Sequence, residues 1–199
     1  MSITESSQTE STAVRFTLSE FARMAEAGVF DDREGARIEL IEGEIREMMS
    51  PTNPPHVEIV KRLSNWASDS LPRDARHIYG QSPIQLTATE SVPLPDLYIA
   101  KPGSYWKRLP NESEAMLVVE VADSSRNRDL GEKASLYGRS GIADYWVVDV
   151  AGECIHVHRD PDTQGQGGYE SIRVFRKGDS LSPLAFPEVS LKVETVFPE

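Results

Sequence analysis

The chain has 199 residues, 39% of them hydrophobic, and a formal net charge of −11. That length suits one domain with a sizeable core, and no run approaches the ~18 apolar residues needed to span a bilayer. The acidic balance opposes nucleic-acid binding as a bulk property and favours solubility, a cationic partner or metal ions. A single cysteine, Cys154, excludes a disulfide framework and a cysteine-based zinc site. It sits in the apolar-alternating ECIHVH and reads as a passive strand cysteine.

The N-terminus, MSITESSQTESTAV, has neither an apolar core nor a basic flank. It reads as a disordered polar tail over residues 1–14, not a secretory signal, and a cytoplasmic location is expected. Residues 17–28, TLSEFARMAEAG, predict a helix with Thr17 as N-cap, Glu20 completing a capping box and Gly28 ending it. RIELIEGEIREMM then predicts a hairpin turning at Glu42 and Gly43. SPTNPP breaks structure, and residues 55–71 show helical spacing behind a proline: Val57, Ile59, Val60, Leu63, Trp66, Ala67 and Leu71. Strands are predicted over 76–87, 95–100 and 116–122, with a polar loop from Lys101 to Glu114. A helix over 129–140 is closed by Gly141. Strands follow at 144–149, 154–159 and 169–176, then a short closing strand or helix turn in VSLKVETVF. The order predicts an α/β (α+β) domain, a mixed sheet flanked by helices.

One residue in this pattern is out of place. LVVEVAD, residues 117–123, reads as a strand buried on both faces, yet it carries Glu120. A carboxylate there is costly unless paired or coordinated, or unless it points out at an exposed edge. Two further features lie nearby in the topology. Asp96 follows Pro95 at the start of an apolar strand. Asp129, Lys133 and Tyr137 fall at i, i+4 and i+8, roughly one face of a helix. If the strands of Asp96 and Glu120 are neighbours, their carboxylates can converge on a hard divalent cation, with a lysine to orient water or offset phosphate charge. Taken alone, Asp96 also fits a turn, and Asp129 with Lys133 also fits a helix-surface ion pair.

The blocks ELIEGEI (39–45), SPTNPPH (50–56), PD (95–96), LVVEVADSS (117–125) and RDLGEKASLYGRSGIADYWVVD (128–149) resemble the Uma-two family of restriction-endonuclease-like proteins, within the PD-(D/E)XK nuclease superfamily. The resemblance runs from about residue 16 to the C-terminus and is most specific between Leu117 and Asp149. It implies a single restriction-endonuclease-like domain over 15–199: a four-stranded mixed core sheet with flanking helices, an N-terminal helix–hairpin extension and C-terminal strands. It also implies phosphodiester hydrolysis of nucleic acid, DNA first, with Mg²⁺ or Mn²⁺ held by Asp96 and Glu120, and a homodimer. The superfamily's lysine normally stands two residues after the second acid. Here that position is Ala122, and the resemblance transfers the role to Lys133. His56, Glu39, Glu58, Gln81, Gln85, Asp129 and Tyr137 match positions able to line the site, each with a purely structural alternative.

Basic residues cluster in two segments: Lys101, Lys107 and Arg108 beside Tyr105 and Trp106, and Arg126 with Arg128 after Glu120. Both suit phosphate contact and base stacking, or a solvated loop. Besides a nuclease, the sequence admits a non-catalytic binding or assembly protein on the nuclease fold. It also admits a hydrolase of small phosphorylated substrates.

Overall fold

The computed structural model describes residues 13–33, 36–49 and 53–197. Most of the predicted N-terminal tail, and the first residues of SPTNPP, lie outside that range. The first helix, α1 (Leu18–Glu26), begins as its sequence dictates. Thr17 caps it, and Glu20 returns a hydrogen bond to the Thr17 amide at 2.9 Å. The hairpin β1 (Ala36–Ile41) and β2 (Glu44–Met49) turns through Glu42 and Gly43, both in the left-handed region at φ 51° and 79°. Two successive positive φ values match a tight turn to the right-handed strand twist. Phe21 of α1 packs on Leu40 of β1 and on Val92. Leu40 and Val92 also exchange backbone hydrogen bonds, which ties the hairpin to the main body.

The helix α2 (Pro54–Ser70) starts at a proline behind Asn53, whose side chain accepts from the His56 amide at 3.1 Å. Its buried face carries His56, Ile59, Leu63 and Ala67. The main sheet comprises β3 (His77–Gly80), β4 (Leu97–Ala100), β5 (Ala115–Ala122), β6 (Asp144–Asp149), β7 (Cys154–Pro161) and β8 (Tyr169–Arg176), side by side in that order. All neighbours are antiparallel except β5 and β6. A parallel pair needs a crossover. Here it is α3 (Arg126–Arg128), a π-helical turn (Asp129–Lys133) and α4 (Ala134–Arg139).

Alternation along β5 sends Leu117, Val119 and Val121 into one core with α2 and Trp146. Val118 and Ala122 enter a second core with Tyr137 and Leu136 of α4. A two-stranded sheet, β9 (Ser180–Leu181) with β10 (Leu191–Lys192), and the turn Val193–Thr195 close the α2 side.

The mixed sheet flanked by helices is as the sequence predicts, with six strands around the four expected. Two expectations change. Only His77–Gly80 of the 76–87 run is strand. The chain turns at Gln81, which is left-handed at φ 46°, and Pro83 has no N–H to donate to a ladder. Ile84 and Leu86 are nonetheless fully buried, in irregular chain, so their alternation records burial without a strand. The single helix over 129–140 begins earlier, at Arg126, and widens into a π-turn through Gly131.

Candidate active site

β5 lies between β4 and β6, so Glu120 has no exposed edge to reach and is 3% exposed. Its Oε1 accepts hydrogen bonds from Lys133 Nζ at 2.6 Å and Tyr137 Oη at 2.9 Å. Lys133 Nζ also lies 3.6 Å from Oε1 of Glu39, which accepts from the Leu94 amide at 2.8 Å. The lysine is thus set between two buried carboxylates. Burial opposes its charge, but Glu120, Glu39 and Asp129 outweigh burial and hold Lys133 protonated. Burial pushes Glu120 the opposite way, above the ordinary carboxylate range, against the pull of Lys133.

Asp96 immediately precedes β4. The antiparallel register sets Leu97 opposite Val119, so the Asp96 carboxylate reaches the end of β5. Its Oδ2 accepts from the Val121 amide at 2.8 Å. Its Oδ1 lies 3.3 Å from Arg37 Nη1 and 3.3 Å from His56 Nε2. His56 Nδ1 is 3.1 Å from the Val121 carbonyl, to which it donates. With Nδ1–H committed there, Nε2 meets a carboxylate oxygen favourably only when it too carries a proton. Burial resists that charge, and Asp96 outweighs burial, so the His56 pKa is raised. Burial likewise resists ionisation of Asp96, but His56, the Val121 amide and Arg37 outweigh it and lower the Asp96 pKa.

These groups line a cleft of about 470 Å³, with Arg37, Glu39, His56, Asp96, Glu120 and Lys133 in its wall. Arg128, Asp123, Ser124 and Ser125 continue the wall. Tyr137 lies beneath Glu120, fully buried. Asp129 is 1% exposed, its Oδ2 accepts from Ser125 Oγ, and burial raises its pKa against the pull of Lys133. Its Oδ1 has no hydrogen-bond partner, and neither does His56 Nε2 at hydrogen-bonding angles. Buried polar atoms left in this state suit a further ligand. Glu39, Asp96 and Glu120 bring carboxylates to one cleft wall, the ligand type that a hard cation takes.

Other sequence candidates fall elsewhere. Glu58 is on the outward face of α2, bonded to Arg62 at 2.9 Å. Gln81 offers the site only its backbone N–H, to the Asp96 carbonyl at 3.1 Å. Gln85 pairs through its backbone with the 110–111 segment. The loop bearing Lys101, Lys107 and Arg108 joins the end of β4 to the start of β5, whereas Asp96 and Glu120 mark the start of β4 and the end of β5. The loop therefore lies at the opposite end of the sheet, and the strand length separates it from the cleft. Arg108 is committed to Glu114 through two hydrogen bonds of 2.7 and 2.6 Å, and Lys101 Nζ to the Ser113 carbonyl. Arg126 pairs with Asp149 at 2.6 Å. Of the five basic candidates only Arg128 lines the cleft. Arg37 is the functional neighbour that sequence reading missed. Its one signal was strand alternation, which puts residues 37 and 39 on the same face of β1.

Residues 18–194 match the model of the Uma2 family, described as "Putative restriction endonuclease". Among solved structures, the chain is similar to a crystal structure described as that of "a putative nuclease belonging to DUF820" from Anabaena variabilis ATCC 29413. That likeness has a TM-score of 0.65 at 18% identity and covers 92% of this chain and 97% of the other. No curated protein matches.

Proposed function

The chain belongs to the Uma2 family, and we propose that it is a divalent-metal-dependent nuclease acting at this cleft, with DNA as substrate. The observation that carries the proposal is the buried contact of Lys133 Nζ with Glu120 Oε1 at 2.6 Å. A lysine from the crossover segment thereby meets the acid that a nuclease lysine at position 122 would serve.

Asp96 and Glu120 would hold Mg²⁺ or Mn²⁺, which supplies Lewis-acid polarisation of the phosphoryl oxygen and a more acidic water. The chain's own residues do the rest. Arg37, His56 and the Val121 amide fix both oxygens of Asp96 and keep it ionised. Tyr137 and Glu39 hold the glutamate–lysine pair from either side. Protonated Lys133 offsets negative charge developing on the phosphate and orients the attacking water. Arg128 at the wall meets a phosphate of the same strand. A homodimer presenting two clefts is part of this proposal, and a monomer by light scattering would contradict that part.

The net charge of −11 favours a second reading, a binding or assembly protein that keeps the fold without hydrolysis. Incubating the purified chain with DNA and RNA in Mg²⁺ or Mn²⁺, beside Asp96→Ala, separates the two. Cleavage that requires metal and is abolished in the variant supports the nuclease. Equal cleavage by both proteins, or none by either, removes it.

A further inference from the structure

A second group of ligating side chains lies outside the cleft. Asp149 ends β6, and its register partner Cys154 begins β7. His156 is two residues on, so alternation puts it on the same face of β7 as Cys154. The three present ligand atoms within 4.8 Å of one another. Cys154 Sγ is 3.6 Å from His156 Nε2, and the same Nε2 is 3.8 Å from Asp149 Oδ2. None of the three lines the cleft.

These separations have a specific meaning. Around a tetrahedral ion with ligands at ~2.0–2.3 Å, neighbouring donor atoms stand roughly 3.4–3.6 Å apart. The two spacings made by His156 need to close by only a few tenths of an ångström, and the third pair lies within 4.8 Å. They are also too long for a strong histidine–aspartate hydrogen bond. The donors are one sulfur, one imidazole nitrogen and one carboxylate oxygen, a set that selects a borderline metal over Mg²⁺. We propose that Asp149, Cys154 and His156 form a Zn²⁺-type site on the β6–β7 connection, with a fourth position left to water.

The surroundings suit that assignment. Asp149 is oriented on both oxygens: Oδ1 accepts from the Gly152 amide at 2.9 Å and Oδ2 from Arg126 Nε at 2.6 Å. Outer hydrogen bonds of this kind fix a carboxylate ligand. A thiolate and a carboxylate neutralise a divalent ion, leaving the charge of Arg126 facing solvent. Ligation by the thiolate releases the Cys154 proton to water. The sequence excluded a site built of cysteines. It did not anticipate one cysteine meeting an acid and a histidine across two strands.

Co²⁺ is the probe, added to the full chain in excess Mg²⁺ so that hard-oxygen sites stay occupied. The expected result is one Co²⁺ per chain with a near-ultraviolet thiolate-to-cobalt band, displaced by Zn²⁺ and unchanged in Asp96→Asn. Because Cys154 is the sole cysteine, Cys154→Ser abolishes the band. His156→Gln, at a partly exposed position less demanding for folding, weakens Co²⁺ binding by about tenfold or more. Co²⁺ that binds without the band, a band lost in Asp96→Asn, or His156→Gln binding as wild type overturns the proposal.

Discussion

Asp96 and Glu120 are buried to nearly the same degree, 4% and 3% exposed, yet their acidities move in opposite directions. Asp96 meets an arginine, a histidine and a backbone N–H and is held below the ordinary range. Glu120 meets a neutral tyrosine hydroxyl and one charged partner, a lysine that it shares with Glu39, and burial carries it above that range. The difference teaches that burial sets the cost of a charge, while the number and ownership of its partners set the outcome. In the proposed nuclease that difference makes Asp96 the ready anionic ligand and Glu120 an acid whose charge depends on Lys133 or on a cation.

Removing the shared partner is the harshest way to break this comparison. Lys133→Met leaves two buried carboxylates uncompensated, a change that costs about 3–5 kcal/mol in comparable pairs, read from the urea midpoint. Glu120 can escape by protonation. Its folded pKa lies above its unfolded one, so the variant keeps its stability at low pH and loses it as pH rises through the folded value. A loss that is flat with pH would contradict the account of Glu120.

His158 sharpens the comparison from the other side, as a buried titratable group with no charged partner. It is 2% exposed, packs against the Tyr145 and Tyr169 rings, and has neither nitrogen hydrogen-bonded. Burial alone, with a small addition from His156, pushes its pKa down to about 4. The unfolded chain takes up this proton near pH 6.5 and the folded chain only near 4, so stability falls as pH falls across that window. The loss is on the order of 3 kcal/mol, and His158→Gln flattens it. An acid limb unchanged by that substitution would contradict the assignment.

Arg37→Ala tests the Asp96 half. It removes a partly buried charged hydrogen bond worth about 1–2 kcal/mol. Asp96 has a lowered pKa, so this stabilisation is present above the unfolded carboxylate value and lost as pH falls through the folded one. The variant should therefore differ from wild type in a urea titration at pH 7, and the difference should shrink as pH falls through the folded pKa of Asp96. The smallest effect is expected from Lys107→Ala. The loop 101–114 is at the far end of the sheet, so cleavage rate and Tm should match wild type. A large drop in cleavage would bring the loop back into substrate binding.

Much of this was legible in the sequence, and the failures share a cause. The capping box, the hairpin turn and strands 144–149 and 169–176 follow from local pattern, and each stands where that pattern puts it. Glu120 announced itself as a carboxylate in a strand buried on both faces, and helical spacing aimed Lys133 and Tyr137 together. Arg37 was missed, because alternation placed it only beside Glu39, while its contact with Asp96 spans 59 positions and runs through a hairpin docked by tertiary packing. The basic loop was misplaced because adjacency in sequence says which strands it joins but not at which end. Ile84 and Leu86 mimicked a strand because an irregular chain can bury alternate residues as well as a ladder can.

The central claim is that Lys133, arriving from the crossover, serves the acid that Ala122 cannot. Single-turnover cleavage of duplex DNA in Mg²⁺, wild type against Lys133→Ala at matched folded fraction, tests it directly. The account predicts metal-dependent cleavage by the wild type and a rate about 10²–10³-fold lower in the variant, the range for losing one positioned electrostatic donor. A variant that cleaves at the wild-type rate would contradict it.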